Sequence, residues 1–218
     1  MKSFVLFHLL FLIALSFSCK HSSVSEDPVP LSWPTKWVAS LIRTCTNPDR
    51  TPCGTDVEMK YYDYSDPASP LYRQECSKEG YSSTFLLLGK DGFIFNKSNQ
   101  SCLYIALPVA VVAPTWMQGG EFSGTEVVNN VPSHLWIKAD HKYYESIESP
   151  KRVTRVFTPF DQVGRAHQED YGTFYSLEEH APGTFDVPEF CSDLSISKQS
   201  RNLSGSDTND YDPAGCFQ

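Results

Sequence analysis

The sequence predicts a mainly β fold built on an antiparallel sheet, with one or two short helices. Aromatic residues make up 13% of the 218 residues, including 11 Tyr and 14 Phe, and aromatic side chains favour strands. Short runs of apolar and alternating residues are separated by turn-forming residues, and helical periodicity is scarce. A chain of this length can bury one hydrophobic core and fold as a single domain.

The N-terminus has the features of a cleavable signal peptide, predicted over residues 1–18. Lys2 precedes an apolar run at residues 4–17, which is too short to cross a bilayer because a spanning helix needs about 20 residues. A cut before Cys19 suits the small residue Ser18, but a cut after Cys19 would leave an even number of cysteines. The alternatives are an uncleaved signal anchor and a bacterial lipoprotein. After cleavage we expect no transmembrane segment, and a polar arm at residues 20–32.

The first half of the domain is predicted to contain a series of short strands. Polar loops containing Pro, Gly or Asn separate them, as is typical of hairpins. Residues 108–114 are apolar but flanked by prolines, so they form either an edge strand or a loop over the core. The strands are expected at residues 33–44, 57–64, 71–74, 83–88, 92–96 and 102–107.

The second half is predicted to form an antiparallel meander followed by a helix. Residues 133–139, 142–147 and 152–159 are three strand-like runs with tight polar connections. Residues 170–180 are the best candidate for a short helix, which the following Ala-Pro-Gly would end. The predicted single domain therefore covers residues 33–191. Residues 192–218 are rich in Ser, Asp and Asn, which predicts a disordered tail.

Cysteines and glycosylation sequons agree with export to an oxidising compartment. Six cysteines remain after Cys19, and they allow three disulfides in 15 connectivities; one pair, Cys45 and Cys53, could close the loop between the first two strands. The candidate disulfide cysteines are Cys45, Cys53, Cys76, Cys102, Cys191 and Cys216. The sequons place N-linked glycans on Asn96, Asn99 and Asn202.

Composition and motifs exclude several classes of function. The net charge of −8 and the absence of a basic stripe argue against nucleic acid as a partner. The sequence contains no metal-binding cysteine or histidine spacing, no nucleotide-binding loop and no nucleophile elbow. His134 and His141 flank one predicted strand, but solvated histidines at strand ends explain them best. We therefore assign no catalytic residue, no metal and no cofactor, and do not expect an enzyme.

The aromatic side chains are the most informative feature for function. They could simply fill the core of a twisted sheet, which is the simpler interpretation. They could instead line an apolar pocket on its concave face, since ligand pockets are mostly apolar with a few polar groups. The candidate pocket residues are Trp37, Trp116, Trp136, Tyr144, Phe157 and Phe185.

Several segments in a fixed order resemble an uncharacterised family of secreted plant and protist proteins that is distantly similar to ependymin-related proteins. The resemblance spans roughly residues 33–191 and is strongest after Cys102. It rests on the segments CLYIALPV from Cys102, PTWMQGGEFSG from Pro114, Trp136 with Lys138, Tyr143-Tyr144-Glu145, residues 153–157 and FDVPEFC from Phe185. Where plant members carry a cysteine just before the tryptophan, this chain has Ser133-His134, so the family's cysteine pairing cannot be transferred whole.

The resemblance implies a fold, a cysteine pair and a class of ligand. Ependymin-like proteins share the fold of the lipoprotein carrier LolA, in which a curved antiparallel half-barrel covers a hydrophobic cavity. For the disulfides, the resemblance leaves Cys102–Cys191 and Cys76–Cys102 as alternatives. The leading hypothesis is a secreted glycoprotein, extracellular or in the secretory lumen, that binds a lipid-like or other hydrophobic ligand. The alternatives are an adhesion or Ca²⁺-binding module of the extracellular matrix and, third, a secreted hydrolase.

Overall fold

A computed structural model describes residues 28–78, 81–108, 110–159 and 164–196 of the chain. Its main element is one curved, open antiparallel sheet of eleven strands, which confirms the predicted mainly β fold. The strands are β1 (Lys36–Thr46), β2 (Pro52–Asp63), β3 (Leu71–Lys78), β4 (Tyr81–Leu88), β5 (Asp91–Asn96), β6 (Ser101–Ala106), β7 (Glu121–Val128), β8 (Val131–Lys138), β9 (His141–Ser146), β10 (Val153–Thr158) and β11 (Ala166–Ser176). One helix follows them, α1 (Glu189–Ile196).

Two meanders make up the sheet. Strands β1 to β6 form one and β7 to β11 the other, and the pairing of β1 with β11 joins them in the middle. The edge strands are therefore β6 and β7, and residues 107–120 connect them. This segment, which we call the crossing segment, packs Met117, Val111 and Trp116 against the sheet. The described apolar residues 110–114 thus lie over the core as a loop, one of the two arrangements that the sequence leaves open for this segment.

The sheet has an inner face, covered by the crossing segment, and an outer face. Along β1, Trp37, Ala39, Leu41 and Arg43 alternate onto the inner face and are buried, whereas Ile42 on the outer face is half exposed. This two-residue period follows from the pleat of a strand. The main core cluster of the inner face consists of Trp37, Ala39, Leu41, Tyr62, Met117, Trp136, Tyr143, Val153, Val156 and Tyr171.

A second core lies on the outer face at the β4–β6 end of the sheet. Leu86 and Phe95 from the strands pack there against Phe185 and Phe190 from the C-terminal segment. The helix α1 packs on β6, and a disulfide ties its Cys191 to Cys102 of that strand. The C-terminal segment therefore covers a sheet face that would otherwise expose large apolar side chains.

The predicted helix at residues 170–180 is wrong, because the structure places β11 there, at Ala166–Ser176. A register shift in its pairing with β1 sets Tyr171 opposite Leu41 and Phe174 opposite Ala39. Both aromatic side chains therefore reach the inner face although they are three positions apart in sequence. A three-residue apolar spacing is typical of a helix, so the bulge explains why the pattern is misleading.

The other differences between the predicted and the observed elements are smaller. Strand β7 carries a bulge at Gly124, whose φ of 118° suits glycine, and the sequence did not indicate this strand. The helix α1 runs to Ile196, although the predicted disordered tail begins at residue 192. The predicted signal peptide, most of the arm and the rest of the tail lie outside the described residues. In the part of the chain that is described, no helix has the length and apolar character needed to cross a membrane.

The described cysteines are all disulfide-bonded. Cys45 is bonded to Cys53 across the β1–β2 turn, and Cys102 is bonded to Cys191, so Cys76–Cys102 is excluded. Cys76 is also disulfide-bonded, and Cys216 lies outside the described residues.

Candidate functional site

A cavity of about 280 Å³ lies between the inner face and the crossing segment. Its floor comes from strands β1 to β4, β10 and β11, and its cover from residues 110–112 and Trp33. The Tyr62 hydroxyl donates to the Val112 carbonyl at 2.8 Å, and the Trp33 amide donates to the Pro114 carbonyl at 3.0 Å. The lining residues are Trp33, Trp37, Lys60, Tyr62, Tyr72, Phe85, Leu87, Ala110, Val111, Val112, Val156, Glu169 and Tyr171.

Six of the thirteen residues that line the cavity are aromatic, and ring contacts hold several of them. Trp37 stacks on Tyr62 with ring centroids 5.0 Å apart and on Phe174 at 5.1 Å, and Trp33 meets it edge-on at 5.4 Å. Such contacts fix the rings and add to the stabilisation from burial. The Trp37 indole N–H is buried and has no hydrogen-bond partner in the described part of the chain. This aromatic part of the wall is thus held by contacts between its rings.

A charged group forms one end of the cavity. The Lys60 ammonium donates a hydrogen bond to Glu169 Oε1, and the Tyr171 hydroxyl donates to Glu169 Oε2 at 2.9 Å. Behind Lys60 lies Glu58, whose side chain is fully buried. Its Oε2 is 3.8 Å from the Lys60 ammonium and has no hydrogen bond, while its Oε1 accepts from Gln74 at 2.9 Å and lies 3.5 Å from the Arg43 guanidinium.

The two carboxylates of this group have opposite pKa shifts. Burial raises the pKa of Glu58 to about 7, although the charges of Lys60 and Arg43 oppose it. Burial also acts on Glu169, but there the charges of Lys60 and Arg43 and the hydrogen bonds from Lys60 and Tyr171 outweigh it and hold the pKa below the ordinary value. Glu169 is therefore ionised at neutral pH, and Glu58 is close to its titration midpoint.

Because of Glu58 we expect the stability of the protein to fall between pH 5.5 and pH 8. The folded state binds a proton on Glu58 up to about pH 7, whereas the unfolded chain releases it near the ordinary value of 4.5. A pKa raised by folding contributes stability at low pH that is lost as the pH rises through the folded pKa. Relative to Glu58→Gln, the free energy of unfolding should drop by about 2 kcal/mol over this range. Urea titrations of the wild type and of Glu58→Gln at several pH values measure this drop. Parallel pH profiles of the two proteins would contradict the raised pKa of Glu58.

The six predicted pocket aromatics do not lie together. Trp37 lines the cavity. Trp116 lies in the crossing segment against Trp33, and Trp136 is buried in the inner-face core without lining the cavity. The other three lie on the outer face: Tyr144 beneath Arg155, Phe157 beneath Lys142, and Phe185 in the second core.

The charged members of the site are not predictable from the sequence. Lys60 and Glu169 lie on strands, where charged residues usually face solvent. In β2, Val57 is 58% exposed and its neighbour Glu58 is buried. This burial is opposite to what hydropathy predicts, so the sequence contains no signal that these polar side chains are directed into the core.

Within the described residues, no group of three or more His, Cys, Asp or Glu side chains is arranged to hold a metal ion. His134 and His141 lie at opposite ends of the β8–β9 hairpin. His134 is edge-on to Phe122, and His141 is edge-on to Trp116.

Solved structures similar to this one have low sequence identity to it. An uncharacterised conserved protein from Thermus thermophilus is 12% identical, with a TM-score of 0.46, and the match covers 72% of this chain and 87% of that one. A DUF1329 family protein from Desulfovibrio piger is 9% identical, with a TM-score of 0.40, 70% of this chain and 90% of that one being covered. A LolA superfamily protein from Nitrosomonas europaea is 11% identical, with a TM-score of 0.37, and the match covers 72% of this chain and 93% of that one.

None of the curated protein sequences matches the chain. Residues 32–191 match the model of a domain of unknown function, DUF8395, and this range includes all eleven strands and the cavity. The chain therefore belongs to the DUF8395 family.

Proposed function

We propose that the protein is a secreted glycoprotein that binds a small apolar molecule in the inner-face cavity. The observation that carries the proposal is the cavity itself: about 280 Å³, with aromatic and aliphatic walls and a polar group at one end. Ligand sites have this composition and typically measure about 300–1,000 Å³, so the ligand is small. The disulfides Cys45–Cys53 and Cys102–Cys191 support an oxidising compartment.

Filling the cavity should abolish binding without unfolding the protein. Val156 and Ala110 both line it, one from the sheet and one from the crossing segment. We expect Val156→Phe and Ala110→Phe each to weaken the binding of the neutral fluorescent probe N-phenyl-1-naphthylamine at least about tenfold. Probe fluorescence during titration measures the affinity, and native mass spectrometry shows whether a small molecule co-purifies.

The matched control adds the same aromatic ring to the outer face. Val57 is 58% exposed there, and Val57→Phe should leave probe affinity unchanged. Melting curves identify any variant that fails to fold, and Ala110→Phe is the safer of the two because it lies outside the sheet. Equal probe affinity in both folded cavity variants and the wild type would refute the proposal.

Glycosylation provides a separate test of export. Asn99 is exposed in the β5–β6 turn, whereas Asn96 is half-buried at the end of β5. We therefore expect Asn99 to be the main glycan carrier of this turn in protein secreted by eukaryotic cells. Asn99→Gln should remove a glycan mass, and Asn130→Gln, in a turn without a sequon, should not. A wild-type mass unchanged by enzymatic removal of N-glycans would contradict this prediction.

A further inference from the structure

The cavity has hydrogen-bond donors to spare. The Lys60 ammonium carries three N–H groups, and among its contacts in the described residues one is a hydrogen bond, to Glu169. Burying a donor without a partner costs free energy, so Lys60, which lines the cavity, would gain from an acceptor that enters it.

The carboxylate in the cavity wall, by contrast, already accepts at both oxygens: Glu169 accepts from Lys60 at one and from the Tyr171 hydroxyl at the other. The hydroxyls of Tyr72 and Tyr62 already donate, to Gln74 at 2.8 Å and to Val112. The unused N–H groups of Lys60 therefore favour a ligand whose polar end accepts hydrogen bonds.

The buried charges beside the cavity indicate which charge the polar end of the ligand carries. Two cations, Arg43 and Lys60, face two carboxylates, Glu58 and Glu169. Only Glu169 is bonded closely to a cation, because Glu58 lies 3.5 Å from Arg43 and 3.8 Å from Lys60. A carboxylate in the cavity could approach Lys60 at hydrogen-bond distance, which Glu58 does not. Such a charge-assisted hydrogen bond is about twice as strong as a neutral one.

We propose that the ligand is an amphiphile with a carboxylate head beside Lys60 and a short apolar tail among the aromatic rings, and that Glu58 takes a proton from solvent when it binds. The proposal rests on the proposed binding function of the cavity. With Glu58 protonated, Arg43 and Lys60 balance Glu169 and the ligand carboxylate, so the buried group stays neutral. A neutral ligand head would not require the proton.

The surroundings of Glu58 agree with proton uptake. Its pKa of about 7 means that the proton is available at neutral pH, and an added negative charge would raise that pKa further. The inner-face strands around Glu58 carry several charged or titratable groups. They are Arg43 from β1, Asp56 and Lys60 from β2, Tyr72 from β3, and His167, Glu169 and Tyr171 from β11.

Three probes with one tail distinguish the head groups: octanoate, 1-octanol and octyltrimethylammonium. Calorimetric titration at pH 7 should give an affinity for octanoate at least about tenfold above that for octanol, and weaker binding still of the cation. Lys60→Met should remove the preference for octanoate and keep octanol binding. Lys142→Met, which removes a lysine from the outer face, should change neither the preference for octanoate nor the affinity for octanol.

Proton uptake is measured by repeating the titrations in buffers of different ionisation enthalpy. At pH 7.5 octanoate should take up about half a proton or more, and octanol none. Glu58→Gln should abolish the uptake and retain octanoate binding, which keeps the test valid even if Lys60→Met fails to fold. Octanoate affinity in the wild type should fall as the pH rises from 7 to 8.5.

The outcomes separate the two proposals. If octanol binds as tightly as octanoate, if the cation binds best, or if octanoate binds without proton uptake, the carboxylate assignment is overturned while apolar binding stands. If none of the octyl probes nor N-phenyl-1-naphthylamine binds, the cavity is not a ligand site and both proposals fail.

Discussion

Replacing Glu169 with glutamine should destabilise the protein by about 3 kcal/mol at pH 6, because Glu58 is mostly protonated there and the change removes the ionised carboxylate that faces two buried cations. Lys60→Met should cost less than half as much at pH 6. In that variant Glu58 can stay protonated, since burial already raises its pKa to about 7, and Glu169 still faces Arg43. The double variant removes one charge of each sign, so its stability should exceed that of Glu169→Gln alone. Urea unfolding at pH 6 measures all three.

A surface ion pair provides the control. Lys36 and Glu179 lie 2.9 Å apart, but the Glu179 side chain is 82% exposed, and exposed pairs contribute little. Glu179→Gln should therefore leave the unfolding midpoint unchanged. If Glu169→Gln behaved like Glu179→Gln, or if Lys60→Met cost more than Glu169→Gln at pH 6, the charge assignment at the end of the cavity would be incorrect.

Removing the Cys102–Cys191 disulfide should be the other large effect, about 4–5 kcal/mol of unfolding free energy. The bridge closes a loop with a sequence separation of 89, and the entropy that a cross-link removes from the unfolded chain grows with loop length. It also holds α1 against β6 above Phe93 and Phe95. The test is chemical denaturation of the paired Cys102→Ser, Cys191→Ser variant, in which neither cysteine keeps a free thiol.

The short disulfide is the matched comparison. Cys45–Cys53 has a sequence separation of 8, for which the same reasoning gives about 2.5 kcal/mol. The paired serine variant at Cys45 and Cys53 should therefore be clearly more stable than the one at Cys102 and Cys191. Equal losses, or a reversed order, would show that native contacts rather than loop length determine the contribution of each bridge.

The sequence predicts the local part of the fold well. The hairpins β4–β5, β5–β6 and β8–β9 could be predicted because each depends on an alternating run and a nearby turn. Strand β11 could not, because its pairing with β1 joins segments far apart in sequence and because the bulge puts Tyr171 and Phe174 at helical spacing. Pairing between distant segments leaves no local mark on either of them.

The site was less predictable than the fold, for a related reason. Residue type suggests which aromatics are buried, but the register of each strand decides the face. Tyr143 and Tyr144 are adjacent in sequence and lie on opposite faces of β9, as do Val156 and Phe157 on β10. The charged end of the cavity depends on four strands that meet in space, and none of them indicates it separately.

The position of β1 between β2 and β11 has a consequence for folding during synthesis. β1 is the first strand made, and its second partner is the last, with Val38 opposite Tyr175. Until the ribosome has released β11, one side of β1 exposes unpaired amides and carbonyls beside Trp37 and Leu41, and free strand edges promote aggregation. Pairs so distant in sequence also form slowly. A nascent chain stopped before residue 166 would therefore hold a complete first meander and still lack a closed core.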